Sequence, residues 1–199
     1  MDYFFKEGYE LSKKFILLHG TGGDENSLKK LAYFFDSEAT ILSFRGTIKE
    51  DGMNRFFKRK SLNQFDYDSL EKESDRLLAK IYTISQEERI AVEEWTIIGY
   101  SNGANIAAHI LLERESLLQE AILFHPMSLG VDTQTFPITS KKIWFSTGKK
   151  DPMVTEKSAL ALANQFKARG AQVEMLCTDA GHQVVMEELA AAKQWLTSL

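Results

Sequence analysis

The stretch Trp95-Thr96-Ile97-Ile98-Gly99-Tyr100-Ser101-Asn102-Gly103-Ala104 decides the fold. Trp95 to Ile98 reads as an apolar strand. From Ala104 to Glu113 the apolar residues Ile106, Ala107, Ile110 and Leu111 run along one side of a helix. Between them stands Gly-x-Ser-x-Gly. A strand that turns sharply into a helix needs small residues on both sides of the turn, because side chains there collide. Such a turn lifts a serine hydroxyl above the sheet edge, at a helix N-terminus. By itself the five-residue pattern is a weak signal, met by chance in roughly one ordinary chain in twenty. Its place between strand and helix makes it specific, and the alternative is a pair of glycines that merely ease a turn.

The pattern repeats outward. Strand-like runs occur at Phe15 to Leu18, Ala39 to Phe44, Ala121 to Phe124, Ile143 to Ser146 and Val173 to Cys177. Helical spacing links Leu28, Leu31, Ala32 and Phe35, with Asn26 or Ser27 as a cap. It links Leu70, Leu77, Leu78 and Ile81, and later Val185, Leu189, Ala192 and Leu196. A further helix fits Thr155 to Arg169, stopped by Gly170. Strands alternating with helices, each strand continuously apolar, predict a mostly parallel sheet of six to seven strands with helices on both faces. Residues 2–5 would supply the edge strand. Arg45 to Asp68 is polar, lacks clear periodicity and reads as a long loop.

A serine hydroxyl needs a base, and the base an orienting acid. His182, in Gly181-His182-Gln183, follows the last strand and faces the same sheet edge as Ser101. His125, at the end of a strand run, reads as packed or as backing the site. Asp151 follows a strand through Thr147-Gly148-Lys149-Lys150 and precedes Pro152, again at that edge. Asp179 is close to His182 in sequence, but a turn role suits it better. The order Ser101, Asp151, His182 is that of the α/β-hydrolase arrangement. An oxyanion would be met by the backbone N–H of Asn102 and by one from the loop His19-Gly20-Thr21-Gly22-Gly23, for which Thr21 is the candidate. That loop lacks the phosphate-binding patterns G-x-x-x-x-G-K-[ST] and G-x-G-x-x-G, which argues against a nucleotide.

Composition sets the limits. The chain has 199 residues, 44% hydrophobic and 26% charged, which suits one folded domain over residues 1–199. Lys and Arg number 24 against 28 Asp and Glu, a net charge of −4, which disfavours nucleic acid as a partner. Lys58-Arg59-Lys60 is too short a basic run to change that. The single Cys177 excludes an internal disulfide and, within its apolar run, reads as buried packing. Nothing at the N-terminus resembles a signal peptide, and no run approaches the roughly 18 apolar residues of a membrane span. A cytoplasmic protein without stable membrane insertion is the expectation, and a homodimer stays open. No His/Cys/Asp/Glu cluster has metal-ligand spacing, so neither metal nor cofactor is expected; His109 reads as packed.

These residues resemble the small carboxylesterase/phospholipase group of α/β hydrolases. The likeness is to bacterial esterases associated with hydroquinone resistance, relatives of acyl-protein thioesterases. It runs through Leu18 to Glu25, Arg45-Gly46, Arg55-Phe56-Phe57, Gly99 to Asn105, Gly148 to Pro152 and Gly181-His182. The resemblance implies Ser101, Asp151 and His182 as a triad with Thr21 and Asn102 as oxyanion donors. One departure is Phe44, where such proteins often carry proline before the Arg-Gly pair.

Only Met127 to Lys141 separate two strand runs, too few residues for a lid domain, so an open site is expected. Candidate substrate contacts are Arg45, Arg55, Phe56, Phe57 and Met153. The phenylalanines, with Phe65, either line an apolar acyl site or anchor the loop to the core. The arginines either meet a polar or anionic group or hold the loop by ion pairs. The expected function is hydrolysis of small carboxylic esters through an acyl-enzyme. Acyl thioesters or lysophospholipids are the alternative on the same residues, and a non-catalytic binding protein is the remote one.

Overall fold

Residues 1–61 and 64–199 are described by the computed structural model; Leu62 and Asn63, inside the long polar loop, lie outside them. In chain order the strands are β1 (Tyr3–Lys6), β2 (Lys14–Leu18), β3 (Thr40–Phe44), β4 (Ile48–Glu50), β5 (Met53–Arg55), β6 (Arg59–Ser61), β7 (Gln64–Phe65), β8 (Trp95–Tyr100), β9 (Glu120–Phe124), β10 (Lys142–Gly148) and β11 (Gln172–Thr178). The helices are α1 (Lys29–Phe35), α2 (Tyr67–Glu87), α3 (Asn102–Glu113), α4 (Glu156–Ala168) and α5 (Met186–Thr197). Among the described residues seven strands form one sheet in the order β1-β3-β2-β8-β9-β10-β11. Only β1 is antiparallel, pairing Tyr3 with Phe44 along the edge. All other neighbours are parallel.

Alternate strand residues point to opposite faces, and each face is covered. Ile16, Leu18, Leu42, Ile97, Leu123 and Phe145 meet α2, α3 and α4. Phe15, Leu17, Ile41, Ile98, Ile122 and Trp144 meet α1 and α5. Truncating one such residue, for example Leu18→Ala, removes about 2–5 kcal/mol. Strand order reverses between β2 and β8. In open α/β sheets the crevice beyond the strand ends at such a switch point is where ligands bind.

Several expectations shift. The loop from Arg45 contains two hairpins, β4–β5 and β6–β7. The first turns at Asp51 (φ 51°) and Gly52 (φ 76°), the backbone a two-residue primed turn demands. Helix α2 begins earlier than the apolar spacing suggests, because the Asp66 carboxylate accepts the Ser69 N–H at 3.0 Å and caps it. Before α1, the Asp24 carboxylate and the Ser27 hydroxyl organise a turn, and the residue at the cap position is Leu28. Cys177 is half-buried rather than core, because β11 is the far edge of the sheet. Residues 125–141 hold no helix or strand, and Leu129 and Ile138 pack into the core.

Candidate active site

Ser101 stands at the switch point, between β8 and α3, with φ 49° and ψ −111°. A non-glycine residue there is strained by about 1–3 kcal/mol. The surroundings hold it: its N–H donates to the Phe124 carbonyl at 2.9 Å, and its carbonyl accepts the Asn105 N–H at 2.9 Å. The flanking glycines are required by contact. A Cβ on Gly103 would lie 2.0 Å from the Leu18 carbonyl oxygen, and one on Gly99 2.7 Å from the Ala104 Cα.

His182 follows β11, and its Nε2 lies 2.9 Å from Ser101 Oγ. Its Nδ1 lies 2.7 Å from Asp151 Oδ2, in the loop after β10. Nδ1 therefore carries the proton and donates to the carboxylate, which leaves Nε2 to accept from the serine hydroxyl. The Asp151 side chain is buried, and its Oδ1 accepts the N–H of Met153 at 2.8 Å and of Val154 at 3.0 Å. Burial pushes this carboxyl up, but the bonds from His182, Val154 and Met153 outweigh it and hold it below the ordinary carboxylate range. The Tyr100 hydroxyl donates to the His182 carbonyl at 3.1 Å and fixes that loop from below.

As the first residue of α3, Asn102 has a backbone N–H with no acceptor inside the helix, at the positive end of the dipole. Its side-chain Oδ1 accepts the Phe56 N–H at 2.7 Å. Thr21 lies in the loop after β2. His19 braces that loop: its Nε2 accepts the Gly46 N–H at 3.0 Å, so Nδ1 donates to the Gly20 carbonyl at 2.6 Å. Burial holds the His19 imidazole below its ordinary value, in keeping with this neutral form.

Ser101, His182, Thr21, Asn102, Arg55 and Met153 line one narrow cleft, which opens to solvent. Phe65, offered by the sequence as an apolar wall or a loop anchor, lines it too, and Arg59, Asn105, Met127 and Val154, which the sequence reading did not offer as substrate contacts, complete it. Three expected contacts fall elsewhere. Phe56 and Phe57 are fully buried in the core beneath the cleft, so they anchor the loop rather than line the site. Arg45 grips Glu25 through two bonds of 2.6 and 2.7 Å and holds the loop by an ion pair. Arg55 faces the cleft, although its side chain is 5% exposed; its Nη1 donates to Thr21 Oγ1 at 2.7 Å, and Glu50 lies 3.3 Å from its Nε. Asp179 is exposed and pairs with Lys149.

His125 lies behind Asp151, its Nδ1 3.1 Å from the same Oδ2 that His182 meets. Ligand atoms of His125, Asp151 and His182 lie within 4.8 Å of one another, a spacing that could hold a metal ion. Here both histidines are already turned onto Asp151. Another hollow, lined by Leu117, Phe136 and Lys141, lies at the opposite, N-terminal edge of the sheet.

A hydroxyl on a strained strand-to-helix turn, aligned with an imidazole and a buried carboxylate at the switch point, is the equipment of an α/β hydrolase. Comparison with known proteins agrees. Residues 49–194 match the model of the dienelactone hydrolase family. The chain is 35% identical to the putative hydrolase MhqD of Bacillus subtilis over 180 residues, 90% of each chain. It is similar to a carboxylesterase structure from Bacillus cereus, with 35% identity, a TM-score of 0.96, and coverage of 100% of this chain and 94% of that one. It is likewise similar to YahD, solved with malic acid, at 36% identity and a TM-score of 0.94 over 99% and 98% of the two chains. The protein is thus an esterase-type hydrolase. It belongs to the dienelactone hydrolase family. Among the described residues no helix is long and apolar enough to cross a membrane.

Proposed function

We propose that this hydrolase cleaves carboxylic esters of small substrates through Ser101, His182 and Asp151. The observation that carries this reading is the pair of hydrogen bonds, 2.9 and 2.7 Å, that joins the three groups at the floor of an open cleft. Ser101 Oγ attacks the acyl carbon as its proton passes to His182 Nε2. Asp151 keeps the imidazolium oriented and offsets its charge. The N–H groups of Thr21 and Asn102 receive the oxyanion. His182 then protonates the leaving alkoxide, and the acyl group stays on Ser101 until water, deprotonated by His182, releases it as the acid.

Cleft size and composition favour short acyl or aryl groups against Phe65, Met127 and Met153. Arg55 and Arg59 on one wall favour a substrate with an anionic group near the ester. The test is kcat/KM on short p-nitrophenyl esters, acyl thioesters and lysophospholipids, with and without Ser101→Ala. The expected result is preference for short esters and a loss of at least about 10⁴-fold in the variant. Preference for thioesters or lysolipids would reassign the substrate. Turnover that survives Ser101→Ala, or no turnover of any of them, would count against the mechanism.

A further inference from the structure

A second hollow opens beside Ser101, toward the other face of the sheet. The cleft takes Asn102 and Asn105 from α3. The hollow takes Leu28 and Leu31 from the start of α1, Tyr100 from the end of β8 and Val184 from the segment before α5. Gly20 and Thr21 border it, and Thr21 lines both the cleft and the hollow. Its walls are therefore the two loops that serve Ser101. One carries Thr21, and the other carries His182 two residues before Val184.

The lining is apolar and locally fixed. Leu28 is buried, while Leu31 and Val184 pack against the core and stay half-buried. The Tyr100 ring stands 5.6 Å from the His182 ring, centroid to centroid, and its hydroxyl is held by the His182 carbonyl at 3.1 Å. Gly20 admits that ring: a Cβ there would lie 2.7 Å from Tyr100 Cδ1. Lys30 and Gln183 stand at the exposed rim. An open apolar hollow with a polar rim suits an uncharged hydrocarbon group.

The reaction decides which half of the substrate lies there. The tetrahedral carbon carries Ser101 Oγ, the oxyanion, the acyl chain and the leaving oxygen. The oxyanion points at the N–H groups of Thr21 and Asn102, and the acyl chain occupies the cleft on the α3 side. The leaving oxygen must come within reach of the proton on His182 Nε2. Its alcohol portion then extends between the Thr21 and His182 loops, into the hollow. We propose that this hollow is the alcohol subsite, and that Leu31 and Val184 select esters of apolar, uncharged alcohols. The assignment rests on the proposed ester cleavage through Ser101. By microscopic reversibility the hollow also receives an alcohol that attacks the acyl-enzyme. The alcohol's proton passes to His182 Nε2 as its oxygen bonds the acyl carbon, and Ser101 Oγ leaves as that proton returns to it.

The experiment measures kcat/KM on the acetate esters of methanol, ethanol, n-propanol and n-butanol, whose alkoxides are of nearly equal basicity. It compares wild type with Leu31→Gln, which makes the wall polar at similar size, and Leu31→Trp, which fills the hollow. In wild type kcat/KM should rise about twofold per methylene, and both variants should flatten that rise. An acetyl-enzyme offered equal methanol and n-butanol should form more butyl than methyl acetate, an excess that both variants lose. This readout compares two alcohols in one sample, so a general loss of activity or of folded protein does not move it. A flat alcohol series in wild type with turnover intact would overturn the assignment, leave the esterase reading standing, and need no variant. So would variants that keep the alcohol series and instead lose a dependence on acyl length, measured on ethyl esters from acetate to hexanoate. Absence of any Ser101-dependent turnover would overturn the esterase reading and this assignment with it.

Discussion

Asn102 Oδ1 accepts the Phe56 N–H at 2.7 Å, which fastens the residue after Ser101 to the loop that walls the cleft. Both groups are buried. Asn102→Ala leaves that N–H without its acceptor, at a cost of about 1–3 kcal/mol. The melting temperature should fall, and kcat/KM should drop about tenfold as the oxyanion loop loosens. Asn102→Asp keeps an acceptor but sets a charge beside the forming oxyanion, so its kcat should fall further. Thermal melts with ester kinetics on both variants check this, and equal kcat in the two would contradict it.

The strain at Ser101 makes a second prediction. Its φ of 49° is backbone that glycine adopts freely. Ser101→Gly should abolish turnover and stabilise the fold by about 1–3 kcal/mol. Urea unfolding of Ser101→Gly against Ser101→Ala isolates the backbone effect, because neither has the hydroxyl. No gain in the glycine variant would show that the turn is unstrained.

Two buried histidines bear on acid stability. Burial lowers both His19 and His109 from 6.5. The unfolded chain takes up their protons first as pH falls, so their stabilising contribution is full above about 6.5 and declines through the folded-state values. Asp151 and Glu188, held low, contribute stability above their ordinary values of 3.8 and 4.5 that is lost only at more acid pH. Between pH 7.5 and 5.5 the urea midpoint of His109→Gln should therefore lose less, relative to its own value at pH 7.5, than that of the wild type. Superimposable pH dependences in the two would refute the assignment.

Arg55 reaches Thr21, Phe57 and Glu50 at once through its planar fork. A lysine supplies a point charge instead. Arg55→Lys should keep the fold, raise KM for esters that carry a carboxylate by about tenfold, and spare uncharged esters more. Paired kinetics on a neutral ester and its carboxylate analogue measure the difference.

The strands and helices were legible because each parallel strand is an unbroken apolar run and each helix keeps its period. Ser101, Asp151 and His182 stood out because each follows a strand end, and parallel strands bring their ends to one edge. The loop from Arg45 was less legible. Asp51-Gly52 does signal a hairpin, but the flanking Ile48-Lys49-Glu50 and Met53-Asn54-Arg55 alternate too weakly to read as strands. Phe56 and Phe57 carry no periodic pattern to say which way they face; only tertiary packing places them under the cleft. Glu188 was invisible for a similar reason: helical spacing assigns a glutamate to the solvent side, and the buried cluster at His125 draws it inward.

The central claim, that Ser101 is the nucleophile, is tested most directly by mass spectrometry after treatment with a fluorophosphonate probe. The account predicts one covalent adduct per chain, located on Ser101, absent in Ser101→Ala and slowed in His182→Ala. Folded wild-type protein that takes up no label, or takes it at another residue, would contradict it.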